Sequence, residues 1–220
     1  LDFKKENVFR KGNFWIYFAS LINILRLFLY FAGFALTSVG NAIILSFTWP
    51  IFANILGVIF LKEKINLRKI ILLAIAFGGI VVINSQTDFS FQSKDFLGML
   101  SLLTAALLTA SVVTIFKKSY ANLTRLESVF FQNFTGAIFV IPFIFKIFNT
   151  TPIIKIAFTT VHAIFVGIIA FALFFSALKR LAASTVSILA YLEVIFGLTL
   201  SVLIINEPIT WNMVLGGAMI

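Results

Sequence analysis

The chain has 220 residues, of which 61% are hydrophobic and 11% charged, with 28 phenylalanines, a mean hydropathy of +1.09 and a formal net charge of +9 at pH 7. So apolar a composition excludes a water-soluble domain with a polar surface and points to an all-α, polytopic transmembrane helix bundle. The positive charge forms no basic stripe with interleaved aromatics, so no nucleic-acid partner is expected, and the absence of cysteine removes disulfides, thiolate metal sites and cysteine nucleophiles.

Residues 1–11 are charged and lead directly into a first apolar span at 14–35, about the ~20 residues that cross a hydrocarbon core roughly 30 Å thick and too long for a signal h-region. No charge occurs for 35 residues, from Leu27 to Leu61. One helix of that length, rising about 1.5 Å per residue, would overshoot the bilayer by roughly 20 Å, so two helices are required. The break is expected at Thr37-Ser38-Val39-Gly40-Asn41, where small polar residues and Gly favour a turn. The second span, 37–61, carries Pro50 near its middle, and the missing N–H and ring clash predict a kink. Lys62-Glu63-Lys64-Ile65-Asn66 reads as a turn with Asn66 as N-cap of a third span at 67–84. A polar linker at 85–95 precedes spans at 96–116, 128–148, 157–178 and 182–205, and an eighth starts at Ile209.

The stretch 41–83 recurs in degenerate form at the end of the chain. A shift of 144 residues lays Ile44-Leu45 on Ile188-Leu189, Ile51-Phe52 on Ile195-Phe196 and Glu63 on Glu207. The glutamate match carries the most weight, because the chain holds only 8 acidic residues. Charge then orients the copies. Lys4, Lys5, Arg10, Lys11, Lys62, Lys64, Arg68, Lys69, Lys117, Lys118, Arg125, Lys179 and Arg180 fall on one side of the spans, against Lys94, Lys146 and Lys155 on the other. The positive-inside rule makes the rich side cytoplasmic. The Glu63 turn is thus expected inside and the Glu207 turn outside a cell membrane, with the two copies running in opposite senses. Such inverted repeats recur in transporters, where exchanging the conformations of two related halves moves a central site from one face to the other.

Polar side chains within spans are the candidate site residues. Ala42, Ser46, Trp49, Ala53 and Gly57 share one helical face, and Val186, Ala190, Glu193, Gly197 and Ser201 form its repeat partner, so Trp49 and Glu193 occupy related places. Small residues on such faces also serve close helix packing. Arg26 sits mid-span, where a charge costs at least ~2.5 kcal/mol and needs a partner or a wet cavity; a structural ion pair, an anionic substrate group or snorkelling would each satisfy it. Glu193 is the one carboxylate deep in a span, suited to holding a cationic group or exchanging a proton, or to pairing with Arg26. Ser128, Gln132 and Thr135 could line a pore or bind neighbouring helices. Glu63 and Glu207 sit in turns beside helix N-termini, where a carboxylate favours the positive dipole end in a capping or gating role.

Enzyme readings lack their parts: one His, no HExxH, no GxSxG elbow and no Walker A sequence. No metal or cofactor is expected. The remaining classes are a carrier, a passive channel, and a membrane scaffold or sensor.

Several short motifs resemble the drug/metabolite transporter superfamily in its ten-helix branch of two EamA-type repeats. In the first copy they are Tyr30-Phe31-Ala32, Asn41-Ala42, Pro50-Ile51-Phe52-Ala53, Leu61-Lys62-Glu63-Lys64 and Gly79. In the second they are Phe174-Phe175-Ser176-Ala177-Leu178, Tyr191-Leu192-Glu193-Val194, Glu207-Pro208 and Gly216. Val194 stands where the family often has Pro, so no proline supports a matching kink in the second copy. The resemblance implies residues 1–84 as the last three helices of one five-helix unit, 85–95 as linker and 96–220 as the second unit. Two helices are then expected ahead of Leu1, and the last helix is expected to run past Ile220. It further implies alternating-access secondary transport of small metabolites such as amino acids, in the export direction, with sugar-nucleotide or drug substrates as alternatives. Arg26, Asn41, Trp49, Tyr191 and Glu193 are the expected substrate residues, and Pro50, Glu63 and Glu207 the structural or gating ones. A coupling proton or ion and a homodimer remain open as partners beside the small-molecule substrate and the lipid bilayer.

The charge count predicts that a cysteine replacing Lys64 resists a membrane-impermeant thiol reagent in right-side-out membranes, whereas one at Ser90 or Asn206 reacts. Labelling at position 64 would overturn the orientation and the inverted repeat together.

Overall fold

The computed structural model describes residues 14–85, 93–119, 129–130, 133–134, 137, 151–206 and 208–220. Helix α1 spans Phe14–Leu36, α2 Val39–Ser46, α3 Trp49–Leu61, α4 Leu67–Ile83 and α5 Ser93–Ser119. Helix α6, Ile153–Ile164, passes through a π-helical turn at Phe165–Ala170 into α7, Phe171–Arg180. Helix α8 covers Ala183–Leu189, α9 Leu192–Leu200 with a π-helical turn at Ser201–Ile205, and α10 Trp211–Met219. Among the described residues there is no strand. The expected span at 128–148 lies outside the described residues except for helical residues at 129–130, 133–134 and 137; so do residues 1–13, linker residues 86–92, Ser128, Gln132, Thr135 and Glu207.

Among the described residues, five stretches are long and apolar enough to cross a membrane: Phe14–Leu36, Val39–Leu61, Lys94–Ser119, Ile153–Arg180 and Ala183–Ile204. Their polarity is distributed as lipid requires. Large apolar side chains face outward, Phe28 at 70%, Phe158 at 72% and Leu203 at 70% exposure, while Ser20, Asn23, Asn41, Asn54, Thr114, Ser184 and Ser187 are buried. A water-soluble bundle would show the reverse.

The chain divides into two compact units, Leu1–Ile24 with Ile115–Arg180, and Leu25–Thr114 with Leu181–Ile220. In the first, Phe116 and Phe175 are buried with ring centroids 5.0 Å apart. The Lys117 ammonium donates to the Leu178 carbonyl at 2.6 Å, near the C-terminus of α7 where a cation suits the helix dipole. At the first π-helical turn the Asn133 amide donates to the Gly167 carbonyl at 3.0 Å.

The second unit packs Ile44, Ala76, Ile80 and Tyr191 into a buried cluster. In it α4 packs closely on α10, where a Cβ on Gly79 would lie 2.5 Å from the Gly216 carbonyl oxygen and a Cβ on Gly216 would meet the Gly79 carbonyl in turn. The two backbones touch only because both positions lack a side chain.

Two interruptions shape this unit. Residues 47–48 separate α2 from α3, and Ala190 and Tyr191 separate α8 from α9. At the first, Pro50 offers no N–H to the preceding turn, the Ile51 N–H donates to Thr48 O at 2.9 Å, and the Thr48 hydroxyl donates to Leu45 O at 2.6 Å. At the second, no proline is present, yet the helix still breaks. Tyr191 N–H donates to Ile188 O and Glu193 N–H to Ala190 O, both at 3.1 Å, three-residue steps that tighten the chain locally. The missing proline at Val194 therefore does not spare the second copy its break. Lys62 (φ 55°) and Asn206 (φ 58°), the non-glycine residues with positive φ among those described, end α3 and the second π-helical turn, where the capping bonds go to Gly57 O, from the Glu63 N–H at 3.1 Å, and to Ser201 O. Both pairs obey the 144-residue shift.

Replacing Gly79 by Ala should lower stability by about 1–3 kcal/mol through overpacking against Gly216, whereas Gly217→Ala, with nothing within 4 Å of the new Cβ, should change it by less than about 0.5 kcal/mol. Thermal unfolding of the two variants in detergent checks the contrast.

Candidate functional site

A cavity of about 200 Å³ lies inside the second unit, lined by Arg26 and Tyr30 of α1, Ser46, Phe47 and Trp49 at the first break, Ala105, Ala106 and Thr109 of α5, and Glu193 of α9. Each element positions its residues for a local reason. Arg26 and Tyr30 are four apart and share one face of α1. The α2/α3 break frees the chain at 47–48, so Phe47 and Trp49 both reach the same space. Ala105 and Ala106 are nearly fully buried and give α5 a low wall there. Glu193 sits in the first turn of α9, directly after the second break.

Charge and polarity are segregated around this space. Arg26 supplies a half-buried guanidinium and Glu193 an exposed carboxylate on the wall, with the Tyr30 phenol within electrostatic reach of both. The Thr109 hydroxyl donates to Ala105 O at 2.8 Å, which leaves its lone pairs to accept. The Ser46 hydroxyl oxygen is buried with no hydrogen-bond partner among the described residues. The aromatic faces of Phe47, Trp49 and Tyr30 complete an enclosure holding both signs of charge and an apolar surface. Such an enclosure can bind a small molecule that is itself polar at one end and apolar at the other.

Of the residues singled out from sequence, Arg26, Trp49 and Glu193 meet at the cavity. Asn41 and Tyr191 do not. Asn41 is fully buried in the first turn of α2, its N–H donating to the Ser38 hydroxyl at 3.3 Å. Tyr191 is also fully buried, and its hydroxyl donates to Phe47 O at 3.1 Å. Pro50 is buried at the start of α3. Tyr30, four residues beyond Arg26, is legible from helical spacing as sharing its face, whereas Phe47, Ala105, Ala106 and Thr109 carry no sequence signal as a group.

Glu63 takes a different position from the one its turn suggests. The helix that follows it, α4, is capped by Asn66, whose side chain accepts the Lys69 N–H at 3.0 Å. The Glu63 carboxylate reaches instead to α8, accepting Ala183 N–H at 2.7 Å and Ser184 N–H at 3.0 Å. Lys69 Nζ donates to Ser184 Oγ at 3.3 Å and Asn54 Nδ2 to Ser187 Oγ at 3.1 Å, so polar contacts fasten α8 along α3 and the start of α4. A Cβ on Gly57 would stand 3.3 Å from Glu63 Oε2, so the glycine gives the carboxylate room to fold back over α3.

Sequence comparison identifies the architecture. Residues 1–85 and 96–220 match the EamA-like transporter family. The chain belongs to that family. The uncharacterized transporter YoaV of Bacillus subtilis (strain 168) is 25% identical over 194 residues, a match covering 86% of this chain and 66% of YoaV, just under two thirds of the relative's length. A crystal structure with 17% sequence identity superposes with a TM-score of 0.79, covering 96% of this chain and 74% of the other, and shows that the fold is shared. In this EamA-like chain the Glu63 contact joins the two matched segments, since Glu63 lies in 1–85 and Ala183 in 96–220.

Glu63→Ala should cost about 0.5–2 kcal/mol by leaving the α8 N-terminus uncapped, and Glu63→Gln less. Lys64→Ala, a neighbouring charge change, serves as the control in the same unfolding measurement.

Proposed function

We infer that the protein is a secondary transporter that exports small metabolites, amino acids or related zwitterions, across the cell membrane by alternating access. The observation that carries this reading is that Arg26 and Glu193 both line one small, partly aromatic cavity. A zwitterion offers a carboxylate to the guanidinium and an ammonium to the carboxylate, so both charges on the cavity wall are complemented by one small molecule. Cavity size supports the same class. About 200 Å³ falls below the ~300–1,000 Å³ of sites for drug-sized ligands, which favours an amino acid over a sugar nucleotide or a drug. Membership in a transporter family, the 144-residue offset of the helix ends at Lys62 and Asn206 and the 143-residue spacing of the two helix breaks support a two-repeat carrier rather than a scaffold. Substrate moves unchanged; no bond is made or broken.

Full-length protein in proteoliposomes loaded with radiolabelled amino acids tests the reading. Glu193→Gln should insert and fold as the wild type yet lose at least about tenfold in transport, or lose its pH dependence. If Glu193 served only to balance Arg26, the Gln variant would be unstable, and neutralising Arg26 as well would restore it. A stable Glu193→Gln variant with unchanged flux across pH sinks the proposal.

A further inference from the structure

Tyr191 is buried away from the cavity, yet it is bonded to a residue that lines it. At the first break Phe47 O receives no N–H from Ile51, which turns to Thr48 O instead. The Tyr191 hydroxyl fills that vacancy at 3.1 Å, and the Phe47 and Tyr191 rings stack with centroids 6.1 Å apart and planes 30° apart. Phe47 and Tyr191 are themselves 144 residues apart, so the repeat shift lays one on the other and each break contributes one residue to the contact. Phe47 stands between Ser46 and Trp49 on one wall; Glu193 lies two residues beyond Tyr191 on another.

We propose that Tyr191 is a positioning residue: its hydroxyl and ring clasp the two helix breaks together and thereby set the separation of the Trp49 wall from Glu193, without touching substrate. The polar handle is essential to this role. A ring alone packs, but the hydroxyl answers a carbonyl that the break has orphaned, which fixes direction as well as distance. The inference rests on the cavity being the substrate site, and the test separates the two.

In full-length protein with every tryptophan except Trp49 replaced by Phe, Tyr191→Phe should increase acrylamide quenching of Trp49 and red-shift its emission with no ligand present. In proteoliposomes carrying labelled amino acids, the same substitution should raise KM about three- to tenfold while the maximal rate stays within about twofold. A purely structural role predicts the opposite split, a lower maximal rate from less folded protein at unchanged KM. Phe47→Leu, which keeps the carbonyl and removes the ring, should produce a smaller rise in quenching than Tyr191→Phe. Unchanged Trp49 quenching in Tyr191→Phe overturns the clasp, as does a loss of maximal rate at constant KM. If the wild type moves no amino acid, the transport reading fails while the quenching result still decides the clasp.

Discussion

A helix broken within lipid must find partners inside the protein for every backbone group it releases, because the hydrocarbon offers none. That constraint organises the second unit. Each break is closed locally by three-residue steps, by Thr48 Oγ1 on Leu45 O and, across the unit, by the Tyr191 hydroxyl on Phe47 O. The cavity is the space these repairs leave beside them. Phe47 and Trp49 enter it because the chain departs from the α-helical ladder at 47–48, and Glu193 enters it because α9 starts anew after Tyr191. Functional geometry and backbone satisfaction are thus one problem.

The same economy governs the helix ends. Asn66 and Thr210 cap α4 and α10 with their own side chains, while α8 begins without a capping side chain of its own and takes its acceptor from Glu63, 120 residues earlier in the chain. A short helix of 7 residues has little internal stability, so its order depends on partners. Asn54 and Lys69 supply the rest through Ser187 and Ser184. The polar residues buried in this part of the bundle are therefore concentrated where a short helix needs anchoring, and apolar side chains are free to face lipid.

Much of this was legible in sequence, for identifiable reasons. Charge is scarce, so Arg26 and Glu193 stood out, and Trp49 followed from its place on a face of small residues. Pro50 announced the first break by its chemistry. The second break carries no such mark: Ala190 and Tyr191 are ordinary helix residues, and composition does not announce the three-residue steps found there. Tyr191 shares its motif with Glu193, and Asn41 lies in the same span as Trp49, but both are buried in packing, a distinction that depends on rotation about the helix axis and not on spacing. Ala105, Ala106 and Thr109 have nothing unusual in their surroundings, and only the placement of α5 beside the breaks brings them to the wall. Glu63 was readable as a capping group, but its turn suggested the helix next in sequence rather than one packed from far along the chain.

The π-helical turn at Ser201–Ile205 follows directly on the helix that carries Glu193. A turn of this kind accommodates one residue more than the regular ladder, and one residue corresponds to about 100° of azimuth. The face bearing Glu193 and Gly197 therefore does not continue beyond Ser201; the sequence past that point presents a rotated side to its surroundings. Residues past the turn take an azimuth that a helical wheel drawn from Leu192 would not give them, and Leu203 and Ile204 within it are 70% exposed. Such a phase slip lets a single continuous span serve an aqueous compartment along part of its length and a hydrocarbon boundary along the remainder.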